Sequence, residues 1–529
     1  MSSRPPLLGL AALPSRQRGQ AMVFVSVTTV MVLLALLVMY STGQLTTQRM
    51  KLQNTADSVA YSAALVQARD LNYAAYMNRA MIANQVAVAQ IVSMTGWARG
   101  YDDTYNGSFS SIATTLANLS TMSFLWTAPA NIYKSVGSGL KSVFNSIGPV
   151  LVKVLDVLIK ALGVSATAYH YGMTLTLYET VTDVMAANDP NASLSTLGNL
   201  GAVYAWGQHE LFAKSYNPVQ AKDGEDRFGR VVDASSDLFY KNRTLPLTFW
   251  PTPMLIDPIR LFTPGVGPLL MFNFHSGGSV NKKPGSTTQD LKSWGSIDAT
   301  GTFVIFCITI SIFGIPIPIP FPLPPLPAGA GAAAAGNYPS SVLMPGSYLG
   351  HRNSANTGTD SAAAVDWGGA YINPYTVIPY FIKAGEGPGS NMDSGAGLTS
   401  YLDIKGNANN ATSNQATSAA SGTNYHNDKA PAFFIEVERD SNTVATSNSG
   451  TFHIGGGSGQ LTLEDKTVDA KIRAMSKAQA YFYRPKDLFA RADNKTEYGS
   501  LYSPYWQVHL VPNNLLEQAG SIIAPNVLP

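Results

Sequence analysis

Arg16-Gln-Arg-Gly-Gln-Ala21, an apolar run on to Tyr40, and then Leu52-Gln-Asn-Thr-Ala-Asp-Ser-Val-Ala-Tyr-Ser-Ala-Ala64 decide how this chain is read. Between Ala21 and Met39 the only polar side chains are Ser26, Thr28 and Thr29, whose hydroxyls can bond back to the helix, and no charge lies between Arg18 and Arg49. A bilayer core of about 30 Å needs roughly 20 such residues at a helical rise. The stretch predicts one transmembrane helix over 21–40, followed by an alanine-rich polar helix.

The flanks set its direction. Residues 1–20 carry Arg4, Arg16 and Arg18 and no acidic residue, so the positive-inside bias places this basic tail in the cytoplasm and the bulk of the chain beyond the membrane. Arg49 and Lys51 follow the span and weaken the asymmetry. Ser41-Thr42-Gly43 offers small residues for a cleavable signal, but a signal's apolar region is about 7–15 residues, shorter than this one. The expectation is an uncleaved anchor.

Composition narrows the rest. Charged residues make up 13% of the 529, against a usual share of about 25%. A net charge of +2 gives no electrostatic case for nucleic acid, which needs clustered Lys and Arg. The single cysteine, Cys307, excludes an intramolecular disulfide and sits in the apolar run Phe303-Val-Ile-Phe-Cys-Ile, where it reads as a small buried hydrophobe.

Residues 44–95 read as helix almost throughout, with Ala56, Val59, Ala60, Ala63 and Ala64 on one narrow face. That face suits close packing, either on the chain's own domain or on a partner helix. Residues 108–187 favour helices again, with Pro129 and Gly148-Pro149 expected as breaks in a hairpin, and Val150–Leu162 expected in the core. After Asp189-Pro190 the character becomes β. Thr302–Phe313 reads as a strand leading into Ile315-Pro-Ile-Pro-Ile-Pro-Phe-Pro, which must be extended and suits an edge or loop. Residues 328–336 and 384–460 read as surface loops around a strand at 432–439, and residues 466–483 as a closing helix. The fold class expected is α+β: a transmembrane helix continuing into long helices, then a β-containing, loop-rich extracytoplasmic region. The boundaries expected are a basic tail 1–20, the span 21–40, a helical membrane-proximal region 41–190, a β-rich region 191–465 and a C-terminal helix and closing segment 466–529.

No catalytic constellation emerges. Glu436, Glu438 and Asp440 share a strand face and read as solvated. Asp393-Ser-Gly lacks the second carboxylate an aspartic protease requires. His209-Glu210 begins like a zinc helix, but Ala213 stands where the second histidine would be. The remaining histidines are scattered, and His351, His426 and His453 lie in or near polar loops. Gly455-Gly-Gly-Ser-Gly lacks the Lys and Ser/Thr of a phosphate loop, and Asp233-Ala-Ser-Ser-Asp237 departs from the metal-binding loop of integrin-like domains at its last position. No cofactor and no metal is expected.

Arg18-Gly-Gln-Ala, the apolar span and Leu52-Gln-Asn-Thr-Ala-Asp57 together resemble the TadE/TadG-like N-terminal module of Flp (tight-adherence) pilus assembly proteins. Asn78-Arg-Ala-Met-Ile-Ala-Asn-Gln-Val-Ala and Leu501-Tyr-Ser-Pro-Tyr-Trp-Gln-Val-His-Leu-Val-Pro resemble the longer TadG-type members. The resemblance implies a non-enzymatic, single-pass bacterial inner-membrane protein whose periplasmic body contacts other pilus-assembly proteins, with energy from a separate ATPase. Related prepilins carry a glutamate five residues after the processing glycine. Here Phe24 stands five residues after Gly19, which favours a stationary anchor. The alternatives are a minor pilin cleaved between Gly19 and Gln20 and, from another class, a membrane-tethered hydrolase. Leu52, Ala56, Asp57, Ala60 and Ala63 are the candidate partner-helix contacts, with self-association through the N-terminal helix, and Asp57 could pair with Arg49, Lys51 or a neighbouring subunit.

Overall fold

With no proline between residues 15 and 106, the chain forms one continuous helix, α1 (Ser15–Asn106), about 140 Å long at 1.5 Å per residue. The computed structural model describes residues 15–107, 118–216, 227–241, 255–280, 293–324, 326–336, 400–404, 429–440, 471–485 and 497–514, with positions 115, 243, 443 and 488. A second long helix, α2 (Ser123–Asn188), returns antiparallel along the first, so that Gly137 lies against Tyr101, Ser165 against Tyr73 and His170 against Asp70. The expected breaks do not occur. Pro129 falls in the second turn of α2, and Pro149 follows Gly148, which has no Cβ for the proline ring to clash with.

The remaining α-helices are α3 (Thr196–Phe212), α4 (Arg227–Ser235) and α5 (Leu238–Lys241), with a 3-10 turn at Pro258–Leu261. The strands are β1 (Ala192–Leu194), β2 (Ala213–Tyr216), β3 (Leu255–Ile256), β4 (Gly265–Val280), β5 (Ser293–Ile312) and β6 (Ile315–Pro322). They continue as β7 (Leu326–Gly336), β8 (Tyr401–Ile404), β9 (Phe433–Asp440), β10 (Lys471–Phe482) and β11 (Trp506–Leu510). The class is α+β.

The first sheet, in antiparallel order β1-β9-β10-β11, lies on α1 just past its apolar start. Val59, Ala60 and Ala63 of α1, Leu177 and Val181 of α2, and Phe433, Ile435 and Val437 of β9 form one core. Helix α3 covers β9, and Gly198 comes so close that an added Cβ would sit 2.1 Å from the Glu436 carbonyl oxygen. Glu436 and Glu438 are therefore buried, contrary to the solvated face expected. They are neutralised by Arg473, 3.5 Å from Glu436 and 3.2 Å from Glu438, with Lys471 2.5 Å from Glu438.

Residues 471–482 correct a second expectation. Lys, Ala, Met and Gln favour a helix there, yet burial alternates residue by residue from Ile472 to Phe482, and both edges are paired, to β9 and β11. The period of two and the two partners outweigh local propensity.

At the far end of α1 the second sheet runs β3-β4-β5-β6, with β7 on the same side of β5 as β6 but nearer the start of β5. The Gly/Ala stretch expected as a loop over 328–336 is strand β7, with Ala332, Ala333 and Ala335 buried against α1 and β5. It is free of large side chains because the backbones nearly touch: a Cβ on Gly331 would lie 2.0 Å from the Gly100 nitrogen. Strand β6 is an edge strand in which every second residue is proline, matching the alternate N–H groups that face away from β5. It joins β5 through a two-residue turn with both Phe313 (φ 54) and Gly314 (φ 82) left-handed. Phe313 at that tip is fully exposed, with Ile312 and Ile315 exposed beside it. Cys307 is buried in β5, and Leu245–Pro251, Asp393-Ser-Gly, Gly455–Gly459, His351, His426 and His453 lie outside the described residues.

Where β5 crosses α1, Asp298 is wholly buried and held by Arg243 through two 2.8 Å hydrogen bonds and by His275 at 3.0 Å. Burial alone would raise its pKa. The charge of Arg243 and the hydrogen bonds from His275 and Arg243 outweigh that, and hold the carboxyl below its ordinary range.

Two outcomes are expected at this crossing. Gly331→Val forces α1 and β7 apart and costs about 1–3 kcal/mol, read as a lower thermal unfolding midpoint of the detergent-solubilised protein; an unchanged midpoint would refute the close packing. The depressed pKa of Asp298 makes its contribution complete above the unfolded value of 3.8 and lost as pH falls through the folded value. Asp298→Asn should therefore flatten the acid limb of stability below that pH. At neutral pH it should cost about 3–5 kcal/mol by stranding Arg243. Unfolding midpoints measured across pH check both.

Candidate functional site

The apolar start of α1 is built to face an apolar medium. Ser26 donates to the Met22 carbonyl (2.8 Å), Thr28 to that of Phe24 (2.9 Å) and Thr29 to that of Val25 (2.7 Å), so no hydroxyl is left unmet. Met22, Phe24, Met31 and Met39 are each at least 65% exposed, and the body of the protein does not cover this stretch. Among the described residues α1 is the one helix long and apolar enough to cross a membrane. Gly19 and Gln20 lie in α1 just before it.

A polar collar follows where α1 enters the body. Buried Asp189, just past α2, meets Lys51 at 3.5 Å and Arg439 of β9 at 2.9 Å, and Arg439 also donates to Gln48 (2.9 Å). Lys51, one of the two cations that follow the apolar stretch, is thus tied into the fold. Leu52, Ala56, Ala60 and Ala63 point into the chain's own core, against α2 and β9. Asp57 is half-buried and accepts from Gln53 (3.0 Å), whose amide also donates to the Met475 carbonyl (2.9 Å). Lys51, one of the partners considered for Asp57, is thus engaged by Asp189.

Two stretches far apart in sequence meet on α1 a few turns further on. Asn72 donates to the Trp506 carbonyl (2.9 Å) and accepts from its N–H (3.0 Å), as a neighbouring strand would. Asn78 donates to the Leu501 and Leu402 carbonyls, both at 2.8 Å. The Asn78–Ala87 and Leu501–Pro512 segments are therefore one structural unit.

Just before these contacts on α1 lies a group that no linear pattern indicates. Asp70 of α1, His170 of α2 and His209 of α3 are fully buried together. Asp70 Oδ2 is 2.7 Å from His170 Nδ1 and 2.9 Å from His209 Nε2, and His170 Nε2 is 3.3 Å from Glu210 Oε2. Burial works against the charge on Asp70, but hydrogen bonds from both histidines hold its pKa below the usual value. Burial likewise opposes the charge on His170, yet Asp70 and then Glu210 raise its pKa. His209 is the residue whose zinc-helix pattern failed at Ala213; its companions come from other helices. Glu436, Glu438 and Asp440 make no comparable centre, being divided between ion pairs and the exposed end of β9.

Residues 19–68 match the family model described as putative Flp pilus-assembly TadE/G-like, and the chain carries that domain. The match covers the apolar stretch, Gln48 and Lys51 of the collar, and the first core-facing turns of α1. Neither a curated protein nor a solved structure matches the chain.

Proposed function

We propose that this chain, through its TadE/G-like domain at residues 19–68, is a membrane-anchored, non-enzymatic component of an Flp/Tad-type pilus-assembly apparatus or a related secretion apparatus. It crosses the bacterial inner membrane once at residues 21–40, with the basic tail in the cytoplasm and the bulk of the chain in the periplasm. The observation that carries this reading is the continuity of α1: the family-matched residues run without a break from an uncovered apolar stretch into the core of the body.

Protein-protein contact is the mode of action. Leu52, Ala56, Ala60 and Ala63 are taken up by the chain's own core, so neighbouring anchors meet through the stretch 21–40 instead. The outer face of α2 offers a second contact for another pilus-assembly protein. Its Val152, Ile159 and Ala166 face inward, while Val150, Val154, Val157 and Val164 are each about 60% exposed on the opposite side. Only one side of the expected core helix is therefore core. At this level of α1, opposite Met81–Val92, the face lies some 40 or more residues past Tyr40, roughly 60 Å beyond a bilayer. That distance favours a protein over lipid. Burying four valines is worth several kcal/mol, at about 1.5–3 kcal/mol each.

Deleting the chain should abolish surface filaments while the major pilin still accumulates in the membrane, and the chain itself should be recovered at full mass from membranes. A chain beginning at Gln20 in sheared filaments would replace this reading with that of a minor pilin; normal filaments after deletion would end both. The double variant Val154→Glu, Val157→Glu should keep its stability within about 0.5 kcal/mol, because both positions are exposed, yet lose filaments. Normal piliation by that variant would remove α2 as a contact face.

A further inference from the structure

We infer that Asp70, His170 and His209 form a buried binding site for a divalent transition-metal ion, with zinc the fitting species. The three ligand atoms, one carboxylate oxygen and two imidazole nitrogens, lie within 4.8 Å of one another on three different helices. A two-histidine, one-carboxylate set is borderline in softness, which suits zinc, and excludes calcium and magnesium because these take oxygen cages.

The unmet polar atoms give the second reason. With the histidines simply hydrogen-bonded to Asp70 Oδ2, two buried atoms of the cluster have no hydrogen-bond partner, Asp70 Oδ1 and His209 Nδ1, and His170 Nε2 has only Glu210 Oε2 at 3.3 Å. Buried polar atoms are rarely left so, and an ion held by both oxygens of Asp70 would take up Oδ1. A divalent cation at the point where Oδ2, Nδ1 and Nε2 converge takes three lone pairs, and the carboxylates of Asp70 and of Glu210 behind His170 together balance its charge.

Glu210 gives the third. Metal-bound histidines almost always donate their other ring N–H to a carboxylate or carbonyl. Once Nδ1 of His170 binds the ion, Nε2 carries the proton and points it at Glu210 Oε2, 3.3 Å away. Zinc bond lengths of about 2.0–2.2 Å in a tetrahedron separate ligand atoms by roughly 3.3 Å, so loading spreads the present 2.7 and 2.9 Å contacts by about half an ångström. The fourth position falls to Asp70 Oδ1 or to a water. Such an ion fastens α1 to α2 and α3 about 45 Å beyond Tyr40. The inference does not depend on the pilus assignment.

The test uses full-length protein with a histidine-free affinity tag, purified in detergent without chelator. Metal analysis should return about one zinc per chain. After chelation, adding zinc should raise the unfolding midpoint, and cobalt should give the visible absorption of a four-coordinate nitrogen/oxygen site. His209→Gln should lose both the zinc and the cobalt spectrum. Since that variant could fail to fold, Glu210→Ala provides a second reading: at this partly exposed position it should keep the fold and weaken zinc affinity roughly 10–100-fold. The inference is overturned by metal-free protein whose midpoint zinc does not move, or by zinc content and affinity unchanged in both variants, which would assign the metal to surface histidines.

Discussion

Everything in this fold is arranged along α1, and its small residues decide how closely the rest can approach. Ala56, Ala60, Ala63 and Ala64 admit the first sheet and α2, while Gly96 and Gly100 admit β5 and β7 at the far end. A 92-residue helix has little stability of its own to spare for carrying the sheets; burial along its sides supplies that. The two larger sheets and the separate β2-β8 pair do not pair with one another among the described strands. They are related through the helix, which makes α1 the element the structure can least do without.

Charge is scarce in this chain, and much of it is placed where elements cross. Asp189 gathers Lys51 and Arg439 at the near end, Asp70 gathers two histidines in the middle, and Asp298 gathers Arg243 and His275 at the far end. Each carboxylate is buried and each joins α1 or its neighbours to another element. Breaking such a group by removing one partner is costlier than the group's net worth, because a charge is left stranded in a dry site. The effect is to penalise wrong packing more than to reward the right one.

How much of this the sequence revealed depends on the range of the signal. The apolar stretch, the helix after it and strand β5 were legible because composition over 10–20 consecutive residues dictates them. Strand β10 was not: its Lys, Ala and Gln content favours helix, and only the partners from residues 433–440 and 506–510 make it a strand. Strand β7 was hidden for a related reason, since Gly and Ala signal a loop until a helix backbone is known to press on them. The Asp70 centre was illegible altogether, because its members are separated by 100 and 139 residues on three helices. His209 alone hinted at it, and the missing histidine at position 213 argued against a site that is completed in space.

An uninterrupted helix also fixes direction about its own axis. Gly43, between the apolar stretch and the body, has no side chain or other element within 4 Å of where its Cβ would be, so no packing at that point holds the register. One residue added at that point would lengthen the helix by only about 1.5 Å but turn everything beyond it by about 100°. The outer face of α2 and the Phe313 hairpin would swing together around the membrane normal to a new compass bearing. Chain length in this short neck therefore sets which way the protein looks at its neighbours, independently of what its surfaces are made of.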